Sequence, residues 1–217
     1  MTLIIFDCDG VLVETESLAN QIEVDSLKAL GYNFTLEEYI DLALGLHNHR
    51  VEALLKEKYH IDLPKEYWEK TCQKQKEVFE AELVAVEGIS HALATLPNPK
   101  CVASSSNMQR LHLTLGITHL LPYFDGRIYS TEFVKRGKPF PDIYLYAAEK
   151  MGFSPAECVV IEDSLAGIEG ALAAKMTVLA FGGGKHITPR MRERLQASGA
   201  SRFFDSMQDL PAILQEI

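Results

Sequence analysis

At 217 residues, 47% hydrophobic and 24% charged, the chain is long enough for a sizeable buried core in one or two domains, and its composition excludes wholesale disorder and a membrane-buried chain. Lys and Arg total 21 against 30 Asp and Glu, and the net charge of −9 argues against DNA, RNA or an anionic membrane as partner, since their phosphates call for a basic excess. The four cysteines form no CxxC pair and have no histidine at zinc spacing, so reduced thiols are expected rather than a structural metal cluster.

The apolar run over residues 2–6 is cut off by Asp7, too early for a signal-peptide core. No later stretch approaches the roughly 20 apolar residues of a membrane span. A cytoplasmic address is therefore expected. From about Ser17 to Glu82 no convincing strand occurs, and segments rich in Glu, Lys, Leu and Tyr read as several helices, with turns at Gly31-Tyr32-Asn33 and Asp62-Leu63-Pro64. Past that segment, short runs rich in β-branched residues recur at 100–104, 127–130, 158–161 and 177–181. Helix-like stretches lie among them at 108–115, 142–151 and 165–174. Most of the runs are apolar on both faces, as parallel strands covered by helices are. The expected fold is α/β, a doubly wound, Rossmann-like parallel sheet interrupted by an all-helical insertion. Residues 1–15 and 84–217 then form the core and 16–83 the insertion. Gly182-Gly183-Gly184-Lys185 lacks the full spacing of a phosphate loop and reads as a flexible turn, while Gly167 and Gly170 read as close packing of a helix on the sheet.

Four candidate sites fall at the C-terminal ends of predicted strands, the edge where open α/β sheets place ligands. The first is Asp7-Cys8-Asp9-Gly10, where one carboxylate can attack or bind a cation while the other moves protons. Asp-x-Asp-Gly also occurs as a plain polar turn, and the apolar Leu12 and Val13 disfavour a calcium loop. The second is Ser104-Ser105-Ser106-Asn107, either a helix N-cap or an anion site built from hydroxyls and helix amides. In the third, two prolines fix the loop around Lys138, which is either a solvated surface lysine or an ammonium aimed at a carboxylate or phosphate. The fourth is Glu162-Asp163-Ser164, again open to a capping role. Together with Asp7 and Asp9, however, these acids concentrate negative charge that an all-oxygen magnesium site relieves.

Asp7-x-Asp9, Ser104, Lys138-Pro139-x-Pro141-Asp142 and Glu162-Asp163, in this order, resemble the four motifs of the haloacid dehalogenase superfamily, and the helical insertion resembles its type-1 cap. Phe6-Asp7-Cys8-Asp9-Gly10-Val11-Leu12, Gly137-Lys138-Pro139 and Ile161-Glu162-Asp163-Ser164 are most similar to the subgroup of small sugar-phosphate phosphatases and β-phosphoglucomutase. The resemblance implies Asp7 as a nucleophile that forms an aspartyl-phosphate and Asp9 as general acid and then base. It implies Ser104 and Lys138 as holders of the transferred phosphoryl group, and Mg2+ on Asp7, the Asp9 backbone carbonyl, Asp163 and Glu162. Ser105, Asn107 and Gly45 join Ser104 and Lys138 as expected substrate-binding positions. Thr15 matches a family position near the phosphate, and Glu14 and Glu16 are expected at the surface or hinge.

Within the superfamily, Asp9 and the Glu162-Asp163 pair argue against a dehalogenase, and Asp9 also argues against a phosphonoacetaldehyde hydrolase. The segment near Ala19 lacks the mutase's histidine, and Leu46-His47-Asn48-His49-Arg50 puts His and Asn where the mutase carries its phosphate-gripping arginine. Both departures favour a phosphatase acting on a small phosphorylated metabolite, with a monomer as the default state. The mutase and a catalytically silent phosphate-binding module stand as alternatives. His47, His49 and Arg50 read equally as substrate-facing or solvated.

Overall fold

Leu3–Phe6 has no residue exposed on either face, so it requires a sheet covered by helices on both sides. In the computed structural model, which describes residues 1–43 and 48–217, this strand (β1) lies inside a parallel sheet. The other strands among the described residues are β2 (Lys100–Ser104), β3 (Ile128–Ser130), β4 (Cys158–Glu162), β5 (Thr177–Phe181) and β6 (Arg202–Phe204), in the spatial order β3-β2-β1-β4-β5-β6. Ile5 pairs with Cys101 on one side and with Val160 on the other. The chain thus steps outward from β1 to β3, then returns to β4 on the opposite flank. A crevice opens at such a reversal, between the carboxyl ends of β1 and β4.

The helices, in chain order, are α1 (Thr15–Ala29), α2 (Leu36–Ala43), α3 (Asn48–Tyr59), α4 (Tyr67–Glu82), α5 (Ile89–Thr95), α6 (Met108–Ile117), α7 (Asp142–Met151), α8 (Leu165–Ala173), α9 (Pro189–Gln196) and α10 (Leu210–Gln215). None among the described residues is long and apolar enough to cross a membrane. Alternation along the strands sends Leu3, Ile5, Cys101, Ala103, Val160 and Val178 into one core with Ile143 and Ala147 of α7 and Ile168 and Ala171 of α8. Phe6 turns to the other face and meets Phe124 edge-on at 6.2 Å. Local chemistry sets the helix starts: Asn107 accepts from Arg110 N–H, Ser164 from Gly167 N–H and Thr188 from Met191 N–H. Gly152, at φ 77°, ends α7 in the left-handed conformation that a glycine adopts at least cost.

Two compact units divide the chain, residues 1–15 with 83–217 and residues 16–82. The second is all helical. Its core joins Val24 and Leu27 of α1, Tyr39 of α2, Val51 and Leu55 of α3 and Tyr67 of α4, with Ile61 from the loop between α3 and α4. Thr35 and Glu38 cap α2 reciprocally: each side chain accepts from the other residue's backbone N–H, at 2.8 and 3.2 Å.

Three helices and a strand lie outside the elements read from the sequence: α5, α9, α10 and β6. Glu14, expected at the surface or hinge, is instead buried, its Oε2 accepting from Lys185 N–H at 3.2 Å. The 182–184 turn expected to be slack is packed, since a Cβ on Gly184 would stand 2.7 Å from His186 Cε1.

Candidate active site

β1 delivers Asp7 one residue past its end, and β4 delivers Glu162 as its last residue and Asp163 as the next, so the sheet reversal brings the three carboxylates together. Each offers an oxygen within 4.8 Å of the others, and all three residues are buried. Burial and the charge of Glu162 push the Asp7 carboxyl well above the ordinary range, and burial raises Asp163 although His186 works the other way. Crowded buried acids shift in this direction, and a divalent cation among them would hold them ionised. The all-oxygen, strongly anionic donor set fits a hard cation such as Mg2+.

Lys138 enters from the loop before α7. Its Nζ lies 2.7 Å from Asp7 Oδ1 and 2.9 Å from Glu162 Oε2, with its side chain 6% exposed. Burial alone would lower its pKa, but Asp7 and Glu162 more than reverse that and keep the ammonium protonated well above the usual lysine range. Tyr144 OH also donates to Glu162 Oε2 (3.0 Å), and Ser164 donates through N–H and hydroxyl to Oε1 (3.2 and 2.7 Å). Glu162 thus spends both oxygens as an anchor. Gly167 makes this possible, because a Cβ there would lie 2.0 Å from the Glu162 carboxyl carbon. The helix comes close to the sheet here, as expected from the sequence, and the space left at Gly167 is filled by the carboxylate at the end of β4.

Asp9 occupies a different environment. Thr15 Oγ1 donates to its Oδ1 at 2.6 Å, Ser106 Oγ to its Oδ2 at 2.7 Å, and Arg110 Nη2 lies 3.3 Å from Oδ1. Burial raises its pKa, but Arg110 and the two hydroxyls outweigh that and hold it below the ordinary carboxyl range. The sharp turn after it needs Gly10, at φ +81°. Two carboxylates two residues apart therefore carry opposite shifts, Asp7 upward and Asp9 downward.

Ser104 is buried at the end of β2, and its Oγ accepts from Ser106 N–H at 3.0 Å. A hydroxyl that accepts there can still donate to a phosphoryl oxygen. Ser105 is exposed, and its carbonyl accepts from Thr131 Oγ1. Asn107 uses its side-chain oxygen to cap α6, the plainer of the two readings. Gly45 and His47 lie outside the described residues. His49 and Arg50 are exposed in the first turn of α3.

Sequence reasoning named Thr15, and Ser106 only as a member of the 104–107 candidate, and assigned no role to Arg110, Tyr144 or His186. The position of Arg110 was legible in principle, since it lies one helical turn after Asn107 on α6. Tyr144 and His186 carry no local signal, because their partners are distant in sequence.

A family model described as haloacid dehalogenase-like hydrolase matches residues 1–175. The 6-phosphogluconate phosphatase of Escherichia coli is 27% identical over 86% of this chain and 85% of its own length. The phosphorylated carbohydrates phosphatase of Thermotoga maritima is 32% identical over 80% and 82%. Among solved structures, a haloacid dehalogenase-like protein of unknown function from Agrobacterium tumefaciens superposes with a TM-score of 0.94 at 37% identity, covering 100% of this chain and 98% of that one. A HAD family hydrolase of Deinococcus radiodurans with bound phosphate and sodium has a TM-score of 0.86 at 31% identity, covering 100% and 96%.

Proposed function

The chain belongs to the haloacid dehalogenase-like hydrolases, and from that premise we propose that it is a Mg2+-dependent phosphatase that hydrolyses a small sugar-phosphate or sugar-acid-phosphate ester through an aspartyl-phosphate on Asp7. The observation that carries this reading is the pairing of Asp7 with Lys138 at 2.7 Å, beside an Asp9 whose carboxylate is held by Thr15, Ser106 and Arg110. The curated relatives named above act on phosphorylated sugars or sugar acids by their names, and a phosphate is bound in the Deinococcus relative.

Asp7 attacks phosphorus as the bond to the ester oxygen breaks, and the leaving oxygen takes its proton from Asp9, which Thr15, Ser106 and Arg110 hold ionised in this structure and which takes up that proton as the substrate displaces those contacts. Asp9, now a carboxylate, takes a proton from the water that attacks the aspartyl-phosphate, and phosphate and the Asp7 carboxylate are released. Lys138 and Ser104 hold the non-bridging oxygens, and Glu162 holds Lys138 through the transfer. Asp7, Asp163 and the Asp9 backbone carbonyl would hold Mg2+, which supplies charge neutralisation for the phosphoryl group when bound. Glu162 lies in the same cluster, but its oxygens already serve Lys138, Tyr144 and Ser164.

The test is phosphate release from hexose phosphates, 6-phosphogluconate, phosphoglycolate and β-glucose 1-phosphate, each with Mg2+ and with chelator. Release that needs Mg2+ and falls at least about a thousandfold in Asp7→Asn supports the reading. Undiminished release by Asp7→Asn, or none from any ester, overturns it.

A further inference from the structure

His186 sits on the turn after β5, a strand paired directly with β4, and belongs to none of the four motif groups. Its Nε2 lies 3.0 Å from Asp163 Oδ2, and the two side chains are 5% and 4% exposed. We propose that His186 is a positioning residue: it fixes the Asp163 carboxylate in one orientation and thereby sets the affinity of the chain for its divalent cation. The proposal rests on the reading of Asp163 as an ion ligand.

A carboxylate only accepts hydrogen bonds, so the imidazole is the donor, and Oδ2 is committed to it. Oδ1 takes no part in that bond and is presented to an ion in a fixed direction. Backbone shape enforces the same orientation. Asp163 Oδ2 lies 1.9 Å from where a Cβ on residue 10 would stand, so it fills space that only Gly10 leaves open. The ring is held from two sides, because a Cβ on Gly10 or on Gly184 would each come within 2.7 Å of His186 Cε1. Carboxylate and imidazole thus share a slot cut by two glycines, one after β1 and one after β5. Turning the carboxylate about its own axis would break the bond to Nε2. Partners that orient a ligand in this way are worth about 10–100-fold in metal affinity.

The experiment measures ion binding by the full chain without substrate, by calorimetry with Mg2+ and by paramagnetic resonance with Mn2+. His186→Ala should weaken Mg2+ and Mn2+ binding about 10–100-fold. His186→Gln, whose amide nitrogen reaches the place of Nε2, should recover most of the loss. Gly184→Ala should weaken binding while keeping the imidazole, because it displaces the ring, and it decides the matter should His186→Ala fail to fold. Asp163→Asn separates the two readings. If it binds as tightly as the wild type, Asp163 is no ligand and the proposal falls with that assignment. If Asp163→Asn loses binding while His186→Ala and Gly184→Ala stay within about twofold of wild type, the ion site stands and the role of His186 is overturned. Loss of Zn2+ binding with Mg2+ binding kept in His186→Ala also overturns it, since that pattern marks a direct nitrogen ligand.

Discussion

Lys138 holds one buried positive charge between two buried carboxylates. Lys138→Met keeps the apolar stem and removes the charge, leaving Asp7 and Glu162 facing each other. Breaking a buried pair from one side costs roughly 3–5 kcal/mol, and urea unfolding should show a loss of that order. The double variant with Glu162→Gln should regain part of it; no regain would mean that the two residues are not energetically coupled. At this scale the sequence revealed residue types at strand ends but not partners. The carboxylates of Asp7, Asp9, Glu162 and Asp163 were legible because polar residues break apolar runs at the same edge. The burial of Glu14 was not, because the N–H that satisfies it belongs to Lys185, 171 positions away. Asn107 caps α6 by accepting from Arg110 N–H, a role compatible with either reading of its sequence position.

Within the helical unit, α1 carries Glu23 into a buried contact with α4, where Tyr67 OH donates to Oε2 at 2.9 Å and Gln75 Nε2 lies 3.5 Å from Oε1. Tyr39 of α2 faces the same carboxyl. Burial raises its pKa to about 7, against which the Tyr67 hydrogen bond is the smaller influence. A raised folded-state value means that the folded form binds the proton more tightly than the unfolded one. Below about pH 4.5 the group contributes no difference. As pH rises from there to about 7 stability falls, by roughly 3 kcal/mol once both states are ionised. Glu23→Gln keeps an acceptor for Tyr67 and removes the titration. It should raise the melting temperature at pH 8 and leave it nearly unchanged at pH 4.5; equal shifts at both pH values would refute the titration. Elements as long and as strongly patterned as β1, β4 and α7 were legible from sequence. β6, only Arg202-Phe203-Phe204, is too short to display alternation, and the apolar face of α9 is only Met191 and Leu195 among charged residues, too small to stand out.

On the scale of the whole chain, the two units keep separate cores, one around Ile5, Val160 and Ile143 and the other around Leu27, Leu55 and Tyr67. Leu55→Ala removes a side chain that is 1% exposed and should cost about 2–5 kcal/mol locally. Hydrogen exchange should quicken across residues 16–82 while the amides of β1, β2 and β4 keep their protection; an equal loss in both would show one cooperative unit instead. The division itself was visible in the sequence, because a strand-free stretch interrupts a rhythm of strand and helix. The spatial order of the strands was not, because strand patterns carry no label for their neighbours. That order bears on how the molecule comes into being. β1 lies between β2 and β4, yet the ribosome makes it long before either. At about 5–20 residues per second, roughly eight to thirty seconds separate the emergence of Leu3–Phe6 from that of β4, and for that interval an entirely apolar strand has no flanking partner on that side. The segment that will carry the Asp7 carboxylate thus waits, apolar and unpaired on one flank, for the strand that completes its crevice.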